Sequence, residues 1–252
     1  MTQPPADKPP DTSPDPWARF RAATRARIGL GRSGDGLPTK ALLEFQAAHA
    51  RARDAVHGAV DFDALAVQLD RPAIQLHSAA PDRDIYLRRP DLGRRLDAAS
   101  RERLAGLMSD PVDVVFIIGD GLSTAVQQHA LPLLDACLPD LPDWKLAPII
   151  LAGQARVGLG DEIGAALKAA LSVMLIGERP GLSVADSMGI YLTWNPKPGV
   201  TDAERNCISN VHAGGLTYRE AGERLVWLMK QARRRRLSGV GLKDEAALPG
   251  PE

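Results

Sequence analysis

The sequence predicts an α/β fold with a mostly parallel sheet flanked by helices, and three apolar runs are the main reason. The runs VDVVFIIG, LAPIILAG and LSVMLIG are rich in valine, leucine and isoleucine, and each ends in a glycine followed by a polar loop. Helical patterns alternate with them, which is typical of parallel strands buried on both faces. Such sheets bind ligands at the carboxyl ends of their strands. We therefore expect the loops 119–123, 153–158 and 177–181 to lie along one edge and to face a common ligand.

The composition excludes several classes of protein. With 252 residues, the chain can form one main domain and a smaller accessory part. Lysine plus arginine total 31, as do aspartate plus glutamate, so no net charge draws the chain to nucleic acid or to an anionic membrane. The two cysteines, Cys137 and Cys207, form no C-x-x-C motif, which argues against a disulfide framework and a structural zinc site. No apolar run approaches the roughly 18 residues of a membrane helix, so we expect a soluble, cytoplasmic protein.

A tail and several helices precede the first buried strand. Residues 1–16 are rich in proline and lack large apolar side chains, so we expect them to be disordered. Periodicity predicts helices at 17–28, 39–57, 62–69 and 100–108, and an extended segment at 73–76. Thr39 is a plausible N-cap for the second helix. His49 and His57 have no third ligand type nearby, so we interpret them as surface or interface histidines and expect no metal site.

Residues 80–95 combine turn residues with many arginines and aspartates. They could form a solvated loop with internal salt bridges, because charge-rich loops are common on protein surfaces. Alternatively, four arginines of the segment, Arg88, Arg89, Arg94 and Arg95, could receive an anionic ligand or the acidic surface of a partner.

Two glycine-rich segments match dinucleotide-binding fingerprints only in part. Gly29–Gly34 fits G-x-G-x-x-G, yet a helical segment precedes it where the fingerprint requires a strand. The segment 158–164 has one residue too many between its last two glycines, and it leads into a predicted helix, EIGAALKAAL, at 162–171. The competing hypothesis is an oxidoreductase that binds a nicotinamide dinucleotide at the same sheet edge. It would need a tight glycine fingerprint after the first buried strand and an acid about 20 residues further on, at the end of the second, and neither is present.

The loop after the first buried strand offers further candidate residues. Gly119 and Gly121 allow a close approach of the backbone to a ligand, although tight turns also use glycine for purely local reasons. Ser123 could cap the helix that follows, and the N-terminus of that helix would favour an anion. Pro132 should kink that helix or split it.

The last third of the sequence predicts a fourth strand and a final helix. The strand is expected at 189–193, followed by a polar segment at 206–215 that ends in glycine. Thr217 and Glu220 form a capping box for the final helix. Its arginine run 233–236 suits the negative C-terminal end of a helix better than it suits nucleic-acid binding.

Four stretches of the sequence, in order along residues 17–241, resemble the small (light) subunit of ethanolamine ammonia-lyase. They are RARIGLGRSGDGLPTKALLEFQAAHARARDAV, APDRDIYLRRPDLGRRL, the pair GQARVGLGDEIG and LIGERPGLS, and NCISNVHAGG. That enzyme depends on adenosylcobalamin and converts ethanolamine to acetaldehyde and ammonia. The resemblance implies a Rossmann-like domain with an N-terminal helical extension, and a larger TIM-barrel subunit that carries the substrate pocket. It also implies cobalamin held between the two subunits in a hetero-oligomer with six copies of each.

The resemblance carries cobalamin contacts onto Val157 in GQARVG, Glu178 in IGERPG and Cys207 in NCISN. We expect all three on the loops at the carboxyl edge of the sheet. Candidate neighbours in cofactor binding are Arg156, Gly119, Gly121 and Ser123. No Asp-x-His-x-x-Gly motif occurs, so base-on binding is expected.

Within this family, the small subunit binds and orients the cofactor, so we expect no catalytic residue in this chain. The implied domain organisation comprises a tail (1–16), an N-terminal helical extension with the arginine-rich loop (17–108), a Rossmann-like cobalamin-contacting domain (109–241) and a C-terminal tail (242–252). The proline-rich tail differs from the amphipathic segment that addresses some relatives to bacterial microcompartments, so encapsulation is doubtful.

Overall fold

The computed structural model describes residues 15–24, 26–107 and 110–243. The predicted N-terminal tail lies outside the described residues except for Asp15 and Pro16, as does most of the predicted C-terminal tail. The chain divides into two compact units, one up to His49 and one from Ala50 onward. In the first unit, a short helix α1 (Ala18–Ala23) precedes the start of α2 (Thr39–His57), and the boundary between the units falls within α2.

The second unit is built on a mixed sheet of six strands. They are β1 (Ala73–His77), β2 (Val112–Gly119), β3 (Ile149–Gly153), β4 (Ala169–Gly177), β5 (Met188–Trp194) and β6 (Arg205–Val211). Their order across the sheet is β1-β3-β2-β4-β5-β6. The first four strands in this order pair in parallel, whereas β5 pairs antiparallel with β4 and β6 pairs antiparallel with β5. The prediction of a mostly parallel sheet is therefore confirmed.

The three apolar runs form the centre of the sheet, as their composition predicted. Strand β2 lies between β3 and β4, and its side chains alternate between two apolar cores. Val114, Phe116 and Ile118 belong to one core, which α3 (Phe62–Gln68), α6 (Val126–Cys137) and α8 (Tyr218–Arg235) cover. Residues Val115 and Ile117 belong to the other, which α5 (Ala98–Ala105) and α7 (Leu159–Ala166) cover. Helices thus flank the sheet on both faces.

Two elements were missed by the sequence analysis. The arginine-rich segment contains a helix, α4 (Arg83–Arg88), because the carboxylate of Asp82 caps the backbone N–H of Ile85 at 2.8 Å. The polar segment after the fourth strand begins as β6, which pairs with β5 even though its sequence lacks an apolar run.

Several predicted helix boundaries need correction. Helix α1 ends at Ala23 and not at Ile28, because Thr24 adopts an extended conformation. Helix α7 ends at Ala166, and Ala169 already belongs to β4. Helix α5 ends at Ala105, and Met108 lies outside the described residues. By contrast, the helix at 39–57 and the Thr217–Glu220 capping box of α8 are confirmed.

For α6, the predicted cap was wrong, and one of the two alternatives predicted for Pro132, a split helix, is excluded. Ser123 does not cap this helix, which begins at Val126 and has no side-chain cap. The Ser123 hydroxyl is instead buried without a hydrogen-bond partner among the described residues. Pro132 does not split the helix, because Leu133, Leu134 and Cys137 beyond it pack into the same core and hold the last turns in place. Among the described residues, none of the helices has both the length and the apolar character needed to cross a membrane.

Candidate functional site

A cavity of about 1100 Å³ opens at the carboxyl ends of β2, β3 and β4. The loop after each of these strands contributes to its wall, through Gly121 and Leu122, Arg156 to Gly158, and Gly177 to Arg179. Further walls come from α4, from the turn after it and from the segment that connects β5 to β6. The prediction that the three loops lie along one edge is therefore confirmed.

The floor of the cavity is a seam between two stretches of backbone. The N–H of Leu122 donates to the carbonyl of Gly177 at 2.9 Å. A Cβ at Gly121 would collide with the carbonyl of Gly177, and a Cβ at Gly177 would collide with that of Ser123. Gly121 also has a φ of +60°, in the left-handed region. Both positions therefore require glycine for the two loops to meet.

Asp120 holds two of the loops together. Its carboxylate accepts the backbone N–H groups of Gly121 at 2.8 Å, Gln154 at 2.9 Å and Ala155 at 2.8 Å. Arg83 of α4 reinforces the joint by donating to the carbonyl of Gly121 at 2.7 Å. Sequence analysis did not select Asp120, although its position between two glycines directly after a buried strand was an available signal.

Tyr86 of α4 connects the cavity wall to the loop after β3. Its hydroxyl donates to the carbonyl of Ala155 at 2.9 Å. The guanidinium of Arg156 lies over its ring, 4.3 Å from the centroid, while the backbone N–H of Arg156 donates to Gly93 at 2.8 Å. Burial lowers the pKa of Arg156, and neighbouring arginines lower it further. Its Nε is buried without a partner among the described residues.

Val157 and Glu178, two of the three positions that the resemblance selected, line the cavity. Val157 lies next to Gly158 at the start of α7, where it presents an apolar side chain. Glu178 is half-buried directly after β4, and its carboxylate accepts the backbone N–H of Asn210 at 3.2 Å.

Cys207, the third position, does not lie on a loop at the carboxyl edge, as had been expected. It is an exposed residue within β6, directly opposite Tyr191 of β5. Tyr191 also lines the cavity. Desolvation raises the pKa of the Cys207 thiol, the Tyr191 hydroxyl opposes the rise, and the Glu178 carboxylate adds to it. Burial and the Glu178 carboxylate thus both favour the neutral thiol over the thiolate.

A buried ion pair supports the far wall of the cavity. Arg205 of β6 donates to both carboxylate oxygens of Asp161 of α7, at 2.5 and 2.7 Å, and to the carbonyl of Val200 at 2.7 Å. The two side chains are each only 4% exposed. This pair fixes the segment between β5 and β6, which lines the cavity at positions 198–202.

The other predicted positions divide into those on the cavity and those away from it. Gly121 and Arg156 line it, whereas Gly119 and Ser123 are not among the lining residues. A Cβ at Gly119 would lie 3.0 Å from the Cβ of Ala155, so this glycine serves close packing between strands. In the arginine-rich segment, Arg94 and Arg95 line the cavity. Arg88 and Arg89 do not line it.

Comparison with known proteins gives a consistent result. The family model for the ethanolamine ammonia-lyase light chain (EutC) matches residues 14–243. An ethanolamine ammonia-lyase small subunit from Pseudomonas fluorescens (strain Pf0-1) is 53% identical over 249 residues, which cover 95% of this chain and 91% of the relative. Its counterpart from Xanthomonas campestris pv. campestris (strain ATCC 33913) is 52% identical over 250 residues, covering 95% and 92%.

These matches extend over all the segments that line the cavity. They give no support to the competing hypothesis of a nicotinamide-dinucleotide oxidoreductase. The chain belongs to the ethanolamine ammonia-lyase light chain family and is thus a subunit of an ammonia-lyase.

Proposed function

We propose that the cavity is this chain's share of an adenosylcobalamin site, completed by the large subunit of the lyase. The observation that carries the proposal is the convergence of three strand-end loops on one open cavity that contains Val157 and Glu178 and borders the Tyr191–Cys207 pair. All three positions implied by the family resemblance therefore belong to one region of the surface.

The residues present fit such a cofactor in size and in chemistry. A volume of about 1100 Å³ exceeds the roughly 300–1,000 Å³ of pockets for drug-sized ligands, as a larger cofactor requires. Apolar surface from Leu122, Val157 and Ile176 suits a macrocycle. Glu178 can accept hydrogen bonds from amide groups at its rim, and Arg156 can donate them.

When bound, adenosylcobalamin supplies the radical chemistry of the reaction through its own cobalt–carbon bond. The role of this chain is to bind and orient the cofactor. Glu178 orients it through hydrogen bonds, Val157 packs against it, and the neutral Cys207 permits close approach without adding charge. We expect base-on binding and no catalytic residue in this chain.

The finer features implied by the resemblance belong to this proposal. The partner would be a TIM-barrel subunit, with six copies of each chain in the assembly. The sheet with its flanking helices would correspond to a Rossmann-like domain at residues 109–241, preceded by a helical extension at 17–108 and bounded by tails at 1–16 and 242–252. The assembly would be cytoplasmic, and the proline-rich composition of residues 1–16 argues against its entry into a microcompartment.

The isolated chain should show no ammonia-lyase activity. It would supply part of a cofactor site, while the substrate pocket would belong to the large subunit. Ammonia release from ethanolamine should be measured with adenosylcobalamin and the small chain alone, the large subunit alone, and both together. Turnover by the small chain alone at the rate of the reconstituted complex would contradict the proposed division of roles.

The arginine-rich segment should act through Arg94 and Arg95. Replacing both with alanine should weaken assembly or cobalamin retention by about thirtyfold or more, because truncating a charge buried on association costs about 2–5 kcal/mol. The double replacement of Arg88 and Arg89 is the matched control, since Arg89 already pairs with Asp91 at 2.7 Å and the Nε of Arg88 donates to its own helix. Size-exclusion chromatography with cobalamin absorbance measures both properties. Equal behaviour of the two double variants would favour the solvated-loop interpretation.

A further inference from the structure

Several arginines of the cavity wall have no carboxylate partner among the described residues, and one carboxylate of the wall, Glu178, forms no ion pair there either. Four of its carboxylates already have cationic partners: Asp91 with Arg89, Glu162 with Arg101, and both Asp161 and Asp202 with Arg205. By contrast, no ion pair within the described part of the chain joins a carboxylate to Arg94, Arg156 or Arg179. All three line the cavity.

These three arginines are close enough to influence one another. Arg94 packs on Gly158, where a Cβ would lie 3.4 Å from its side chain, and Arg156 packs on Gly93 in the same manner. Burial lowers the pKa of Arg156, and like-charge repulsion from Arg83, Arg94 and Arg179 lowers it further. A partly buried cation beside two others is unfavourable unless an anion compensates it.

Arg156 is also oriented for a ligand. Tyr86 holds the plane of its guanidinium, its Nη2 makes only a long 3.4 Å contact with the carbonyl of Tyr86, and its Nε has no partner among the described residues. The backbone N–H groups of Val157 and Gly158, next along the chain, have no acceptor among the described residues either. A guanidinium fork with adjacent free amides matches the several oxygens of a phosphate group.

We propose that Arg94, Arg156 and Arg179 form an anion subsite that binds a phosphate group at one end of the cavity. If that phosphate belongs to the nucleotide portion of cobalamin, the subsite rests on the proposed function and anchors one end of the cofactor. If it belongs to a separate molecule, the subsite binds free phosphate or a nucleotide beside the cofactor.

The two sources can be separated with a pair of corrinoids. The complex of both subunits should be titrated with adenosylcobalamin and with adenosylcobinamide, which lacks the phosphate, ribose and base. Replacing Arg156 with glutamine should lower the affinity for adenosylcobalamin by roughly ten- to a hundredfold and leave the affinity for adenosylcobinamide nearly unchanged. Arg156→Lys, which keeps the charge but not the fork, should lose less. Arg89→Gln is the control and should change neither affinity.

Inorganic phosphate provides a readout that does not depend on cobalamin. Calorimetric titration of the full-length chain with phosphate should detect binding that Arg156→Gln and Arg179→Gln each weaken, with melting temperatures close to the parent's. If the variants weaken phosphate binding while leaving the preference between the two corrinoids unchanged, the subsite binds a phosphate that is not part of cobalamin.

Two results would overturn the proposal. One is the absence of arginine-dependent phosphate binding together with equal effects on both corrinoids. The other is a combination of three observations: the variants assemble more weakly with the large subunit, the ratio of the two corrinoid affinities is unchanged, and the chain does not bind phosphate. That combination would mean that the arginines bind acidic groups of the large subunit. Failure of the parent complex to bind either corrinoid would contradict the proposed function, while the phosphate titration would still decide whether the subsite exists.

Discussion

Replacing Arg205 with alanine should lower the free energy of unfolding of this chain by about 3–5 kcal/mol. The replacement leaves the Asp161 carboxylate, which is only 4% exposed, without its cation. It also removes the bond to the carbonyl of Val200, so the segment between β5 and β6 loses its anchor. Urea denaturation of the isolated chain measures the change.

The ion pair between Arg101 and Glu162 is a matched control. Its N–O distance is also 2.5 Å, but Arg101 is 51% exposed. Solvent screens such pairs, so Arg101→Ala should cost only about 0–1 kcal/mol. Similar losses for the two variants would mean that burial does not distinguish these pairs.

The deficit of the Arg205 variant should depend on pH. Burial raises the pKa of Asp161, and Arg205 opposes that rise. Without Arg205, the folded chain would take up a proton at Asp161 at a higher pH than the unfolded chain, whose value is about 3.9. Protonation removes the buried charge of Asp161. The free energy of unfolding that the variant has lost relative to the parent should therefore be largest at pH 8, and the loss should shrink as the pH falls through the pKa of Asp161 in the folded variant. A deficit that grows on acidification would exclude this cause.

Glu178→Gln should weaken adenosylcobalamin binding by the assembled enzyme by roughly ten- to a hundredfold. A hydrogen bond to a carboxylate contributes about 1.5–3 kcal/mol, and glutamine keeps the shape while losing the charge and one acceptor. The apo chain should melt close to the parent's temperature, because the remaining amide oxygen can still accept the N–H of Asn210, now 3.2 Å from the carboxylate. Titration of the complex and thermal melting of the small chain test the two parts separately.

Glu223→Gln is the control for the loss of one negative charge, since Glu223 lies on the exposed surface of α8. It should leave cobalamin affinity unchanged. If Glu178→Gln preserved affinity but strongly lowered the melting temperature, Glu178 would be a structural partner of Asn210 and not a cofactor ligand.

The central sheet and its ligand edge could be predicted because their signals are local. Strands β2, β3 and β4 are apolar apart from Asp113 in β2 and Ser172 in β4, and each ends in a glycine where it turns into a loop. Parallel pairing then requires their carboxyl ends to meet at one edge, so the sequence alone predicts that the loops with Arg156 and Glu178 lie together.

The remaining features depend on partners distant in the sequence. Arg205 and Asp161 are separated by 44 positions, and Tyr86 by 69 from the carbonyl that it binds. Strand β6 was missed because its residues alternate irregularly between buried and exposed, and its strand character comes from pairing with β5. The shortened α7 has a similar origin, since Ala169 favours a helix intrinsically but pairs with Val112 of β2.

The close backbone contact between Gly121 and Gly177 limits how the cavity wall can vary. Main-chain atoms form this part of the cavity wall, so exchanges of neighbouring side chains should not move it while the two glycines are kept. Other parts of the cavity wall, in contrast, are formed by long side chains such as Arg94 and Arg179. Substitutions at those side chains should therefore change which peripheral groups of a ligand are accepted. A change in the thickness of the accepted ligand would instead require the strands to move apart.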